Sequence, residues 1–155
     1  MIQNYPPHND RIMFIKLRTD ENDLLIIKTY MSTSGYKDEE VQEVYEQLEE
    51  VMENVRKNDN LIILGDWNAV VVKGQEGDAV GKYGLGVISN RGQRLTDFRN
   101  ERELTITNTI FNNNRESPYT WVKPDGTARY QIDYIMAKKN IKYKYNQVQR
   151  TRELI

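Results

Sequence analysis

A chain of 155 residues with 38% hydrophobic and 29% charged side chains is the size of one domain and long enough to bury a core without covalent staples. Its 10 Tyr, 9 Gly and 4 Pro exclude a collagen-like or low-complexity chain and a wholly disordered one. Zero Cys and a single His exclude a disulfide framework, thiolate redox chemistry and every His-rich metal site. The net charge of −1 by itself favours no class of partner.

The N-terminal Met1-Ile2-Gln3-Asn4-Tyr5-Pro6-Pro7 has neither a basic n-region nor an apolar h-region, and no run approaches 18 apolar residues. Neither a signal peptide nor a membrane span is expected, and the expected location is intracellular. Charge is unevenly spread. Asp38, Glu39, Glu40, Glu43, Glu46, Glu49, Glu50 and Glu53 stand together against Lys37, while Lys138 to Arg152 holds six bases and no acid. The first pattern reads as a solvated helix face, and the second is the one place where attraction to phosphate is legible from charge.

In chain order, Arg11–Thr19 and Asp23–Met31 are β-branched apolar runs around the polar Asp20-Glu21-Asn22, which predicts a hairpin. Val41, Val44, Tyr45, Leu48, Val51, Met52 and Val55 then recur at three- and four-residue steps. That spacing predicts an amphipathic helix from about Asp38 to Lys57, acidic at its start and closed by Arg56-Lys57. Leu61-Ile62-Ile63-Leu64 is wholly apolar and predicts a central strand buried on both faces. Lys73 to Ile88 holds five glycines and reads as a long functional loop. Ser89 can cap a helix to about Arg102 with Leu95 and Phe98 inward. Strands are expected over Leu104–Asn108, Ser117–Val122 and Tyr130–Ala137, with Lys123-Pro124-Asp125-Gly126 as a hairpin turn. Nothing marks a linker or a repeat, so residues 1–155 are expected to form a single domain.

Two phosphate-binding motifs fail on inspection. Gly77 to Tyr83 has three residues between its glycines where a phosphate loop needs four, and Tyr83 stands where Ser or Thr must hold magnesium. Gly84-Leu85-Gly86 lacks the third glycine of a dinucleotide fingerprint. Gly65-Asp66-Trp67-Asn68 is different, because it follows the buried strand, where sheets present polar groups to ligands. Glycine there permits close backbone approach, and a carboxylate two residues from a carboxamide can hold a metal or water and hydrogen-bond a phosphate. The same residues also make good turn chemistry. Downstream, Gln131-Ile132-Asp133-Tyr134-Ile135 sets a carboxylate in a strand, an unfavourable place that gains meaning only beside Asp66. Trp121, after Thr120, is expected in the core. A calcineurin-like metallophosphoesterase also uses Gly-Asp at a strand end but needs several histidines, and this chain has only His8.

These pieces taken together resemble the endonuclease/exonuclease/phosphatase (DNase I-like) superfamily. Within it they are most similar to the endonuclease domains of RTE-type LINE (non-LTR) retrotransposons and craniofacial development protein 2-like proteins. The resemblance runs from Arg11 to about Ile141. It rests on Lys28-Thr29-Tyr30, Glu43-Val44-Tyr45-Glu46-Gln47-Leu48, Leu64-Gly65-Asp66-Trp67-Asn68 and Val80-Gly81-Lys82-Tyr83-Gly84-Leu85-Gly86. It continues in Asn90-Arg91-Gly92-Gln93-Arg94-Leu95, Asn108-Thr109, Tyr119-Thr120-Trp121 with Pro124-Asp125-Gly126, and Gln131 to Ile135.

The resemblance implies an α+β fold, a four-layer α/β/β/α sandwich incomplete at both ends, the chain being the central portion of such a domain. It implies Mg2+-dependent hydrolysis of a nucleic-acid phosphodiester, DNA as partner, no membrane, and a nuclear location if the chain acts on DNA. Carried over by residue, Asp66 positions the attacking water or weakly holds the metal. Asn68 and Tyr30 hydrogen-bond the scissile phosphate, Thr120 lines the site, and Asp133 orients the catalytic histidine. The family's Asn strand and metal-binding Glu lie upstream of where this chain matches, and its terminal Ser-Asp-His has no counterpart here. His8 does not replace that histidine, and the proline after the Tyr strand is missing at Met31-Ser32-Thr33. Two readings follow: an impaired DNA-nicking phosphodiesterase, and a degenerate fragment that keeps the fold and at most binds nucleic acid or a protein. A small-molecule phosphatase fits the loop motifs less well. All five site residues are expected on one face, with Asp66 and Asp133 within about 12 Å, the space for a hydrated magnesium ion and a phosphate.

Overall fold

The computed structural model describes residues 2–4, 10–33, 35, 37–71, 87–110 and 119–138. Ile12–Leu17 (β2) and Leu24–Tyr30 (β3) form the expected hairpin, paired Ile12 to Thr29 through Leu17 to Leu24. Ile2–Asn4 (β1), which has no strand signature in sequence, adds antiparallel to the outer edge of β2. From β3 the chain crosses over through the helix Asp38–Met52 (α1) and returns as Asn60–Asp66 (β4), parallel to β3, because parallel neighbours need a crossover connection. Asp133–Lys138 (β8) and Leu104–Ile106 (β5) complete an antiparallel flank, giving the six-stranded order β1-β2-β3-β4-β8-β5.

Three expected boundaries move. Helix α1 ends at Met52, with Glu53 as its C-cap and no base in its last turn. Arg56 and Lys57 instead belong to the turn that leads into β4. There the Arg56 amide donates to the buried Asp59 carboxylate at 3.0 Å, and the Lys138 ammonium donates to the carbonyls of Arg56 and Asp59. Capturing these carbonyls fixes a sharp turn that a longer helix could not make. Similarly, Tyr130–Ala137 is not one strand. Trp121–Val122 (β6) and Arg129–Tyr130 (β7) pair as a separate two-stranded ribbon, and β8 starts at Asp133. The ribbon closes on Lys123–Gly126, where the Gly126 amide donates to the Lys123 carbonyl at 2.8 Å. The expected strand Leu104–Asn108 stops at Ile106, and residues 107–109 form a 3-10 turn.

The ribbon also changes the fate of Trp121. It is 40% exposed and stacks on Tyr130 with ring centroids 5.9 Å apart. A two-stranded ribbon has no opposing layer in which to bury an indole. The tryptophan of the core is Trp67, 1% exposed, whose ring lies 6.1 Å from Tyr45 of α1 and 6.3 Å from Phe98. Phe98 belongs to Asn90–Glu101 (α2), which Ser89 caps as expected: its Oγ accepts from the Gly92 amide at 3.0 Å. The same oxygen accepts from the Val70 amide at 3.1 Å, so the cap also ties α2 to the chain leaving β4.

The two faces of the sheet are unlike. Leu25, Ile27, Leu61, Ile63, Tyr134 and Met136 join the inner stripes of α1 and α2 in one core, each buried side chain of this size contributing roughly 1.5–3 kcal/mol. On the opposite face Ile62 and Leu64 are only half-buried, so strand 61–64 is not buried on both faces as its composition suggests. The glycine-rich loop up to Gly86, the motif Val80–Gly86, His8, residues Ser117 and Pro118, and the basic run beyond Lys138 lie outside the described residues.

Candidate nucleic-acid phosphodiester site

The site grows out of strand register. Tyr30 at the end of β3 is the partner of Asp66 at the end of β4, and Asp66 is the partner of Asp133 at the start of β8. Cross-strand partners point to the same side of a sheet, and antiparallel partners have Cα atoms about 4.5–5.5 Å apart. The two carboxylates therefore meet across one ladder step, well within the expected span, on the less covered face. Burial pushes the Asp66 carboxyl above the usual carboxylate range, the Asp133 charge pushes the same way, and the Asn68 amide at 2.9 Å opposes both. Tyr30 is 48% exposed beside them.

Asn68 reaches the same end by a different route. Its backbone is left-handed, φ 44°, a conformation that asparagine tolerates better than most side chains. This lets its amide N–H turn back onto Asp66 while its Nδ2 donates to the Met31 carbonyl at 2.8 Å. The Met31 amide in turn donates to the Asp66 carbonyl at 2.8 Å, so the ends of β3 and β4 are laced together. Thr120 joins from the ribbon: its Oγ1 accepts from the Ile132 and Asp133 amides at 3.1 and 3.2 Å. Those bonds use the acceptor side of the hydroxyl, whose proton is a separate resource. Tyr30, Asp66, Asn68, Thr120 and Asp133 thus come together at one end of the sheet.

Two positioning residues escaped the sequence reading. The Asn108 side chain donates to the Asp133 carbonyl at 2.9 Å and accepts from the Ile135 amide at 3.1 Å, holding the start of β8 in register beyond β5. The buried Tyr134 hydroxyl, its pKa raised to about 12 by burial, donates to the Gln131 carbonyl at 2.6 Å and accepts from the Val71 amide at 3.3 Å. It clips the segment after Asn68 to the bend before Asp133. The Asn108-Thr109 pair was visible as part of the resemblance, but no spacing could show what its amide holds.

No protein-family profile matches the chain. In sequence it is 37% identical over 131 residues to craniofacial development protein 2 of Bos taurus, and equally so to that of Tragulus javanicus. The match takes in 84% of this chain but 22% and 23% of those proteins, so the chain spans less than a quarter of the length of the curated relatives it matches. In structure it superposes on the endonuclease domain of TRAS1, a telomere-specific non-LTR retrotransposon. The TM-score is 0.63 at 18% identity, covering 90% of this chain and 56% of that one. The chain has the endonuclease/exonuclease/phosphatase fold. A family protein of that description from Leptotrichia buccalis matches at TM-score 0.50 and 16% identity, over 83% of this chain and 41% of that one. The 3' phosphatase NExo from Neisseria, bound to a product DNA hairpin, matches at TM-score 0.54 and 16% identity, over 90% and 58%. The described sheet with its helices is one α/β half of the four-layer endonuclease/exonuclease/phosphatase sandwich, which is incomplete here, as those shares of the solved chains indicate.

The raised proton affinity of Asp66 has a consequence for stability. Folding holds this proton more tightly than the unfolded chain does, so the contribution is fully present below the unfolded carboxylate pKa and is lost as pH rises through the folded one. Wherever Asp66 is ionised, its partly buried charge is therefore held at a cost to the fold. Asp66→Asn keeps an oxygen for the Asn68 amide and removes both the partly buried charge and its repulsion from Asp133. It is expected to raise the melting temperature at pH 7 by about 2–4 °C, the response to roughly 1 kcal/mol in a chain of this size. The gain should shrink towards pH 3. A melting temperature at pH 7 equal to or below that of the parent chain would refute the cost of the Asp66 charge.

Proposed function

We propose that residues 1–155 form a single domain, the central portion of a magnesium-dependent phosphodiesterase of retrotransposon origin directed at DNA, catalytically impaired in this chain. The observation that carries the reading is the pairing of Asp66 with Asp133 at one sheet end, with Tyr30, Asn68 and Thr120 beside them. The DNA hairpin named with NExo and the endonuclease named with TRAS1 support nucleic acid as the substrate class.

The residues suit a magnesium ion. Magnesium is commonly held by one or two carboxylates with water and substrate phosphate completing its octahedron, and a cation would offset both the burial and the Asp133 charge that disfavour the ionised Asp66. Among the described residues no group of three or more His, Cys, Asp or Glu is placed to hold a metal, so the free protein is proposed to bind it weakly. When bound, the ion supplies Lewis-acid stabilisation of phosphate charge. The Tyr30 phenol, the Asn68 carboxamide and the Thr120 hydroxyl are donors that can meet phosphate oxygens as charge develops. Asp66 would orient a water. Action on DNA would place the chain in the nucleus.

Titration of a short labelled duplex with and without Mg2+, against Asp66→Ala, tests the reading. Magnesium is expected to tighten binding to the parent chain and not to the variant. DNA affinity indifferent to both Mg2+ and Asp66 would assign the chain to the degenerate reading instead.

A further inference from the structure

Helices α1 and α2 lie side by side and run in the same direction. Arg94 bonds Gln42 at one end of their contact, the Tyr45 and Phe98 rings meet edge to face at 5.1 Å in the middle, and Arg102 pairs with Glu49 at 2.6 Å at the other end. Between the helices, on the side away from the sheet, runs an open groove of about 220 Å3. Residues at i, i+3, i+4 and i+7 of each helix line it, from Gln42 to Glu49 and from Arg94 to Glu101, a length of two turns or roughly 10 Å. Glu46, Glu49, Asp97 and Glu101 bring four carboxylates to it against the one cation of Arg94.

The groove is short of a cation. Tyr45 is 7% exposed, with Arg94 over one ring face at 4.7 Å and Phe98 and Trp67 packed beside it, which leaves the hydroxyl at its tip to face the groove. That hydroxyl has no hydrogen-bond partner among the described residues, and an unpaired hydroxyl in a buried place costs free energy. Glu101 has no ion pair among them either. Glu46 and Asp97 each give one oxygen to a glutamine of their own helix and keep the other. Helix α1 has no base in its last turn, the usual offset for a negative helix end, and α2 ends beside it.

We propose that the groove docks a basic helical segment of a partner protein, its lysine or arginine side chains seated among Glu46, Asp97, Glu101 and the Tyr45 hydroxyl. Two parallel helices offer a third helix ridges to pack between, and two turns match basic residues three or four positions apart. The excess of carboxylates repels a phosphate backbone, so the occupant is a protein and not a nucleic acid. The groove belongs to the helical layer, whereas the Asp66–Asp133 row lies at the end of the sheet's other face. Docking therefore leaves that row open.

The probe is a fluorescein-labelled Ala-rich peptide of about 15 residues, long enough to form a helix, with lysines three and four positions apart along one face. Its fluorescence anisotropy on titration with the full 155-residue chain is expected to saturate, with a Kd on the order of 10 µM at low salt. Asp97→Lys and Glu101→Lys, both at exposed helix positions, should each weaken binding about tenfold or more with an unchanged far-UV circular dichroism spectrum. Glu21→Lys makes the same charge change in the β2–β3 turn and should shift it by no more than about twofold. Tyr45→Phe keeps the ring and its packing, and should still weaken binding about threefold or more by removing the hydroxyl. No saturable binding, as when the groove is a plain solvated surface or is filled by the chain's own Lys138–Arg152 run, would overturn the proposal. So would equal losses from Glu21→Lys and Glu101→Lys, or full affinity in Tyr45→Phe.

Discussion

Gly65→Ala is expected to lower the melting temperature by about 10 °C, a loss of roughly 3 kcal/mol or more. A Cβ at this position would lie 1.8 Å from the Thr29 carbonyl oxygen and 2.8 Å from its carbon. Both are backbone atoms of the neighbouring strand, so no rotamer change relieves the overlap. Relief requires β3 and β4 to part where Tyr30 meets Asp66, at the centre of the sheet and under the site. Gly126 is the control. Its φ of 72° favours glycine, yet nothing lies within 4 Å of a Cβ there, so Gly126→Ala should cost only about 1 kcal/mol. Thermal melts of the two variants decide the matter. Equal, small shifts would show that β3 and β4 separate easily and that Gly65 is turn chemistry alone.

The second large effect concerns catalysis. The 155-residue chain by itself is expected to nick supercoiled plasmid in Mg2+ no faster than its Asp66→Ala variant. The family resemblance implies a histidine after the last strand, for which Asp133 is the matching orienter, and an upstream metal-binding glutamate. An orienter without its imidazole has nothing to orient. General acid–base catalysis typically supplies about 10²–10⁴-fold, and a weakened metal forfeits several kcal/mol of Lewis-acid stabilisation. The two losses act on one transition state and need not add, yet either leaves little. Robust nicking by purified chain, abolished by Asp66→Ala, would contradict this and demand another base.

Periodicity made the regular half of the fold legible. The β2–β3 alternation, the Val41–Val51 stripe and the Ser89 cap each report a local preference that tertiary structure respects. What was not legible depends on distant partners. Helix α1 stops at Met52 because Asp59 and Lys138 capture the turn beyond it. The stretch 130–137 splits because Tyr130 pairs with Trp121 while Asp133 pairs with Asp66. Trp121 and Trp67 are indistinguishable as tryptophans, and only the presence of α1 and α2 over Trp67 makes it the buried one. In the candidate site, motif matching located the five side chains, whereas the clip by Tyr134 and the brace by Asn108 follow from register alone.

The ordering of the strands has a kinetic side. The β2–β3 hairpin and the β3–α1–β4 crossover join neighbours in sequence and close over short spans. Asp133 reaches Asp66 only after β8 inserts between β4 and β5. Loop-closure entropy delays such long-range pairings. A chain emerging from the ribosome can assemble β2, β3, α1 and β4 first, with β4 as a temporary sheet edge, and domains fold as their segments arrive. Until β8 docks, that edge offers unpaired backbone groups beside an apolar face, a template for pairing with another chain. By this loop-closure argument the carboxylate pair comes together late, with the docking of β8 on β4, and the interval before it forms exposes the nascent chain to aggregation.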